Sequence, residues 1–424
     1  MKTALNLLAS ITVLAVMQPA LANPPVSSIR MINPTNFSLD HSELTGIRMQ
    51  MQAAIDSGHL PGAMLMIGNN AGVGALLTIG TEGPNDTDPV NTDTIWRIYS
   101  MTKPVISVAT MMLVEEGLIE LDDPVSKFIP EFANLTVFDE QSGNARPAQT
   151  VMTVQHLLTQ ESGIVQAIFA SGTPLGDLYQ QNVSTSGKTA FEVAQSIGRL
   201  PVLFEPGTRW HYGHSTDVLG AVIEVAAAKP LDQLLQERIF DPLGMDDTSF
   251  WVPASKAYRI AEPIHGQMGD NTVAQPFLSG GGGLNSTIED YARFANMLLN
   301  GGEYHGVRII EEDTLNLMTQ KFIGESVSRE HFFYGDRGDW GLGFHLQPTT
   351  EDPSGPHNFG WRGIGGTLFL VDRENNFYLL YMEQRRGGPR GAPFSNNAAQ
   401  HRGCAPLRAR SRGCRSPPDT ARRA

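Results

Sequence analysis

"WRIYSMTKPVISVATMMLVEEG", residues 96–117, sets a serine and a lysine three positions apart just before a long apolar run that ends at a glycine. A run apolar on every side predicts a helix buried all round, closing near Gly117. Residues at i and i+3 share a helix face, so the Lys103 ammonium can reach the Ser100 hydroxyl. Two readings stand at this point. Ser100 is a nucleophile with Lys103 as its proton acceptor, or it is a helix cap beside a surface lysine. The spacing alone does not choose between them, because so short a motif recurs by chance.

Upstream, "HSELTGIRMQMQAAIDSGHLPG" has helical periodicity that stops at Gly and Pro, and "AMLMIGNNAGVGALLTIG" reads as two strands joined by a glycine-rich turn. Downstream, helical patterns dominate from Val151 to Phe250, with Thr153 and Asp217 as candidate caps. A glycine run, "LSGGGGLNSTIEDYARFANMLLNGG", leads into one more helix, after which "WGLGFHLQ", "GTLFLVD" and "NFYLLYMEQ" read as strands. Strands toward both ends around a helical middle predict an α+β fold: an antiparallel sheet completed by both chain ends, flanked by helices, with a helical subdomain inserted at about residues 110–260. A cleft between such parts is where an active site belongs.

The first residues, "MKTALNLLASITVLAVMQPALAN", carry Lys2, an apolar core and the pattern Ala20-Leu21-Ala22. They predict a secretory signal peptide over residues 1–22, cleaved after Ala22, and hence a periplasmic or secreted protein without a stable membrane anchor. The net charge of −13 argues against a nucleic-acid partner. Cys404 and Cys414 are the only cysteines and both lie at the far end, so the core is built without disulfides and a cysteine nucleophile is dismissed. Histidines are scattered without metal-ligand spacing, which predicts no metal and no cofactor. No G-x-S-x-G elbow occurs, which sets aside an α/β-hydrolase. Asp122 and Asp123, in "LDDPV", are read as capping a turn before Pro124.

With "WRIYSMTKPV", "LDDPVSKFIPEF", "TVQHLLTQESGI", "FEPGTRWHYGHSTDVLGAVIEV", "IFDPLGMDDTSFWVP", "GGGGLNSTIEDYARFANMLLNGG" and "FGWRGIGGTLFLVD" in that order, the chain resembles the penicillin-recognising serine hydrolase superfamily. Within it the likeness is to the class C β-lactamase-like branch, and there to the family VIII carboxylesterases; it runs from about Leu44 to Asn397. The resemblance implies a β-lactamase/transpeptidase-like fold and makes Ser100 the nucleophile and Lys103 its partner. The family's second element, Y-x-N, is matched by Tyr212-Gly213-His214, which makes Tyr212 a general base sharing the proton with Lys103. His214 stands where the lactamases carry asparagine, which weakens a lactamase reading and leaves it as a substrate contact or a structural loop residue. The third element is matched by Trp361-Arg362-Gly363. By resemblance, Gly363 lets a substrate carbonyl come close, and the backbone N–H groups of Ile364 and Ser100 form an oxyanion hole. Trp361 puts an apolar wall where lactamases hold a cation. Arg362 either restores some positive charge or is a solvated arginine.

The implied substrate is a small-molecule carboxylic ester. A β-lactamase, a D-amino-acid peptidase or a transesterase would use the same residues, and a silent peptidoglycan-sensing domain is the alternative without chemistry. The hydrolase domain is assigned residues 23–397. From 398 to 424 the chain turns arginine-rich and aperiodic where the family carries a terminal amphipathic helix, which predicts a disordered tail produced by a shifted reading frame, or else a basic tail for an anionic surface. Nothing in the sequence predicts an oligomeric state.

Overall fold

A computed structural model of the chain describes residues 29–37, 41–265, 268–335, 338–348 and 357–385. The expected leader, both cysteines and the basic tail lie outside the described residues.

The centre is a seven-stranded antiparallel sheet. Its strands follow the order Gly72–Gly80, Gly62–Asn69, Phe377–Glu383, Leu368–Asp372, His357–Arg362, His345–Pro348 and Asp339–Trp340. The early hairpin therefore joins the late strands, with Ala63 facing Glu383 and Gly68 facing Tyr378. Gly62–Asn69 is buried along nearly its whole length, which fits its unbroken run of apolar residues. Alternate side chains leave opposite faces. Ala63, Leu65 and Ile67 pack with Met51 and Ala54 of the helix His41–Asp56. Met64 and Met66 join the larger core, to which the helix Ile288–Leu299 contributes Phe294, Ala295 and Leu298.

The helix Thr102–Glu115 buries every residue from Thr102 to Leu113, and the chain leaves it through Gly117 in the left-handed region, as the glycine suggested. Thr153 caps Val154–Leu158 by accepting from the His156 backbone N–H. Asp217 does not cap its helix. It sits in the first turn of Ser215–Ala227, whose N-cap is His214, and its carboxylate turns away toward the glycine run. Asp123 accepts from the Glu120 backbone N–H at 2.8 Å and from Lys127, so it does close the turn around Pro124. Among the described residues no helix is long and apolar enough to cross a membrane. The result is an α+β molecule in which a large antiparallel sheet is flanked by helices, as expected.

Candidate active site

Ser100 does not sit inside the long helix but in the short 3-10 turn Tyr99–Met101 that feeds it. Tyr99 takes φ +44°, a left-handed conformation that is costly for a bulky residue and therefore needs surrounding support. That support comes from three directions. Trp96-Arg97 pairs with Asn285-Ser286, and the Ile98 N–H donates to the Leu284 carbonyl at 3.1 Å. The Tyr291 hydroxyl donates to the Met101 carbonyl at 2.9 Å. From just beyond the strand Phe377–Glu383, the Gln384 side-chain oxygen accepts from the Arg97 N–H at 2.9 Å, while the Thr367 hydroxyl, just ahead of Leu368–Asp372, donates to the Ile98 carbonyl at 3.3 Å. Ser100 itself is partly exposed.

Lys103 is buried one helical turn on, with its ammonium 3.4 Å from Ser100 Oγ. It donates a shorter bond, 2.6 Å, to the carbonyl of Gly281, and it lies 4.5 Å from the centre of the Tyr212 ring. A buried ammonium requires such partners, and here one is a peptide carbonyl and the other an aromatic face.

Tyr212 reaches the site from the segment ahead of Ser215–Ala227. Gln160 pins that segment: its carbonyl accepts from the His211 N–H at 2.9 Å and its side-chain oxygen accepts from the Gly213 N–H at 3.3 Å. Gly213 has no alternative, since a Cβ there would lie 2.0 Å from the Ile164 carbonyl oxygen. The Tyr212 hydroxyl accepts a bond of 3.1 Å from the indole N–H of Trp361. Trp361 is thus more than the apolar wall expected of it; it also holds the tyrosine oxygen with a donor.

The turn after Trp361 packs against the segment that carries Ser100. A Cβ on Gly363 would sit 2.4 Å from the Ile98 carbonyl oxygen, so only glycine allows this approach. Ile364 follows, 61% exposed. Arg362 lies with its guanidinium carbon 5.1 Å from the centre of the Tyr334 ring, engaged with an aromatic face at the rim. His214 is held by its ring: Nδ1 is 2.7 Å from the Asp217 carboxylate.

Several contributors left no motif in the sequence. Phe169 and Phe333 flank Tyr212, 39% and 52% exposed, with ring centres 5.2 and 5.3 Å from that of the tyrosine. Both come from loops, where neither periodicity nor spacing marks an aromatic as a pocket wall. Gly281 serves through its carbonyl, which no side-chain pattern reveals. Asp217 was legible only as a cap.

A serine, an ammonium and a phenol converging beneath an aromatic mouth can carry acyl transfer, and the relatives agree. The family model described as Beta-lactamase matches residues 47–401. Protein Rv1367c of Mycobacterium tuberculosis is 34% identical over 369 residues, covering 80% of this chain and 90% of its own. Esterase EstB of Burkholderia gladioli is 27% identical over 396 residues, covering 83% of this chain and 93% of its own. Among solved structures, EstCE1, a hydrolase with promiscuous acyltransferase activity, shares the fold at TM-score 0.68 and 21% identity, covering 82% of this chain and 94% of that one. Fold, motif order and family match coincide, and the chain belongs to the beta-lactamase family of serine hydrolases.

Proposed function

We propose that this protein is an exported esterase that cleaves carboxylic esters through an acyl-enzyme on Ser100. With one proton shared between the Lys103 amine and the Tyr212 oxygen, as ammonium with phenolate or amine with phenol, Ser100 Oγ bonds to the acyl carbon while its proton passes to that pair, and a proton goes from the pair to the departing alkoxide as the ester C–O bond breaks. Water then repeats the attack, gives up a proton to the same pair and releases the acid and the free serine. The backbone N–H groups of Ser100 and Ile364 hold the carbonyl oxygen as it gains charge, and Gly363 gives it room. Trp361 supplies a donor to the Tyr212 oxygen when charge develops there.

One observation carries the choice of ester over lactam: Tyr212 is surrounded by the rings of Phe169, Phe333 and Trp361, of which Phe169 and Phe333 are exposed, and the cation of the third motif, Arg362, is laid on Tyr334. Such a surround favours an uncharged apolar acyl group over a lactam carboxylate. Esterase EstB among the relatives points the same way. Export rests on the leader pattern ahead of "NPPVSS", and a mature N-terminus at Asn23 in the secreted or periplasmic fraction is its check.

A side-by-side assay on a short-chain aryl ester and a chromogenic cephalosporin tests the substrate class. Ester turnover should dominate; efficient cephalosporin hydrolysis with negligible esterase activity would reverse the assignment. Ser100→Ala should abolish ester hydrolysis and fluorophosphonate labelling while the protein stays folded. Lys103→Ala and Tyr212→Phe should each cost at least about 10³-fold in kcat, and the double variant little more than either, because one proton-transfer unit is lost only once. Additive losses would mean that the two act separately.

A further inference from the structure

Asp217 is buried, ionised and engaged on both oxygens. Oδ1 accepts from the Ser279 hydroxyl at 2.6 Å and from the Gly281 backbone N–H at 2.9 Å; Oδ2 is 2.7 Å from His214 Nδ1. Burial alone would push this carboxyl up, but the bond and charge of His214, the charge of Lys103 and the Ser279 hydroxyl outweigh it and hold the group at about 2. A carboxylate can only accept, so Nδ1 of His214 carries the hydrogen. Gly281 is the residue whose carbonyl takes the Lys103 ammonium at 2.6 Å. One residue therefore faces the carboxylate with its N–H and the lysine with its C=O. The fit leaves no slack, since a Cβ on Gly281 would lie 2.8 Å from Asp217 Oδ2.

We propose that Asp217 is the positioning residue for Lys103: it clamps the 279–283 glycine loop against its own helix, so that the Gly281 carbonyl holds the ammonium beside Ser100, with His214 fixing the orientation of the carboxylate. The proposal rests on the Ser100 acyl-enzyme reading above. It places His214 in the support of the site rather than against the substrate. Ser279 is the second anchor of the same loop.

The test compares Asp217→Asn, Asp217→Ala and Ser279→Ala with wild type in full-length protein, reading kcat, KM and the rate of Ser100 labelling by a fluorophosphonate. Misplacing one partner of a reacting pair by about 1 Å can cost on the order of 10²-fold. Asp217→Ala should lower kcat and the labelling rate by about that factor with KM changed less than about threefold. Asp217→Asn keeps an oxygen for Ser279 and Gly281 but sets an amide N–H against His214, so it should recover part of the loss and fall about tenfold below wild type; Ser279→Ala should fall a few-fold. Wild-type kcat per folded molecule in Asp217→Asn, or a loss confined to KM, overturns the proposal, and if Asp217→Ala does not fold the Asn variant decides alone. Failure of the underlying reading looks different: wild type itself would then resist labelling, or label as well in Ser100→Ala.

Discussion

The two sides of Lys103 contrast. On one side lies a polar wall of Asp217, His214, Ser279 and Gly281, in which the hydroxyl, amide and imidazole all meet one carboxylate at 2.6–2.9 Å. On the other stands an aromatic wall of Tyr212, Trp361, Phe169 and Phe333, joined by ring contacts of 5.2–6.4 Å centre to centre and by one hydrogen bond. Directional bonds set the place of a charge, whereas ring packing leaves a surface on which apolar groups of various shapes can rest. On the proposed mechanism, the polar wall governs the catalyst and the aromatic wall admits the substrate.

Substitutions can break that division. Trp361 belongs to both walls in kind, being a ring with one polar contact. Trp361→Phe keeps the ring and removes the N–H, and should lower kcat by about ten- to a hundredfold with little change in KM, the usual weight of a hydrogen bond to a group that becomes charged. A wild-type kcat measured on the aryl ester would return Trp361 to the role of plain wall. Phe333→Ala and Phe169→Ala should leave kcat on an acetate ester within about twofold, yet reduce kcat/KM on bulky aryl or long-chain esters by about tenfold through KM. Equal losses on small and large acyl groups would show that these rings position Tyr212 instead.

Farther from the nucleophile, Glu161 tests whether a buried polar group outside the polar wall is tuned for chemistry or merely tolerated. Burial chiefly, with help from the Asp339 charge and against Arg329, raises its carboxyl to about 8, and its Oε1 has no hydrogen-bond partner among the described residues. A raised acid favours the folded state while protonated, so that stability is full below about 4.5 and drains as pH climbs through about 8. Glu161→Gln should therefore raise Tm by a few degrees at pH 9 and by less at pH 5, with kcat unchanged. A pH-independent Tm difference would show that the carboxyl does not titrate in this window.

How far the sequence went follows from the kind of interaction in each part. The helix from Thr102, the hairpin at 62–80 and the late strands were legible because burial demands apolar runs bounded by glycine turns, and the order of short motifs along 96–372 identified the family. Ser100, Lys103 and Tyr212 were named from that likeness, and the fold brings them together. The Gly281 carbonyl was illegible because backbone groups are common to every residue. Asp217 was misread because first-turn carboxylates usually serve their own helix, and here a tertiary contact won. Phe169 and Phe333 were missed because loop residues meet through topology alone.

The bonds that tie the Arg97 N–H to Gln384 and the Ile98 carbonyl to Thr367 have a consequence in time. Ser100 and Lys103 are made early in synthesis, but the strained turn that presents the serine is braced by residues 269 and 287 positions beyond their partners, and Trp361 must also arrive before Tyr212 has its donor. Contacts so distant along the chain form late, after the cost of closing long loops has been met. A growing or unfolded chain thus lacks the contacts that brace the Ser100 turn. On the proposed acyl-enzyme reading, ester cleavage is expected to begin only when the segments carrying Trp361, Thr367 and Gln384 dock, so that its onset reports the completed folding of the site.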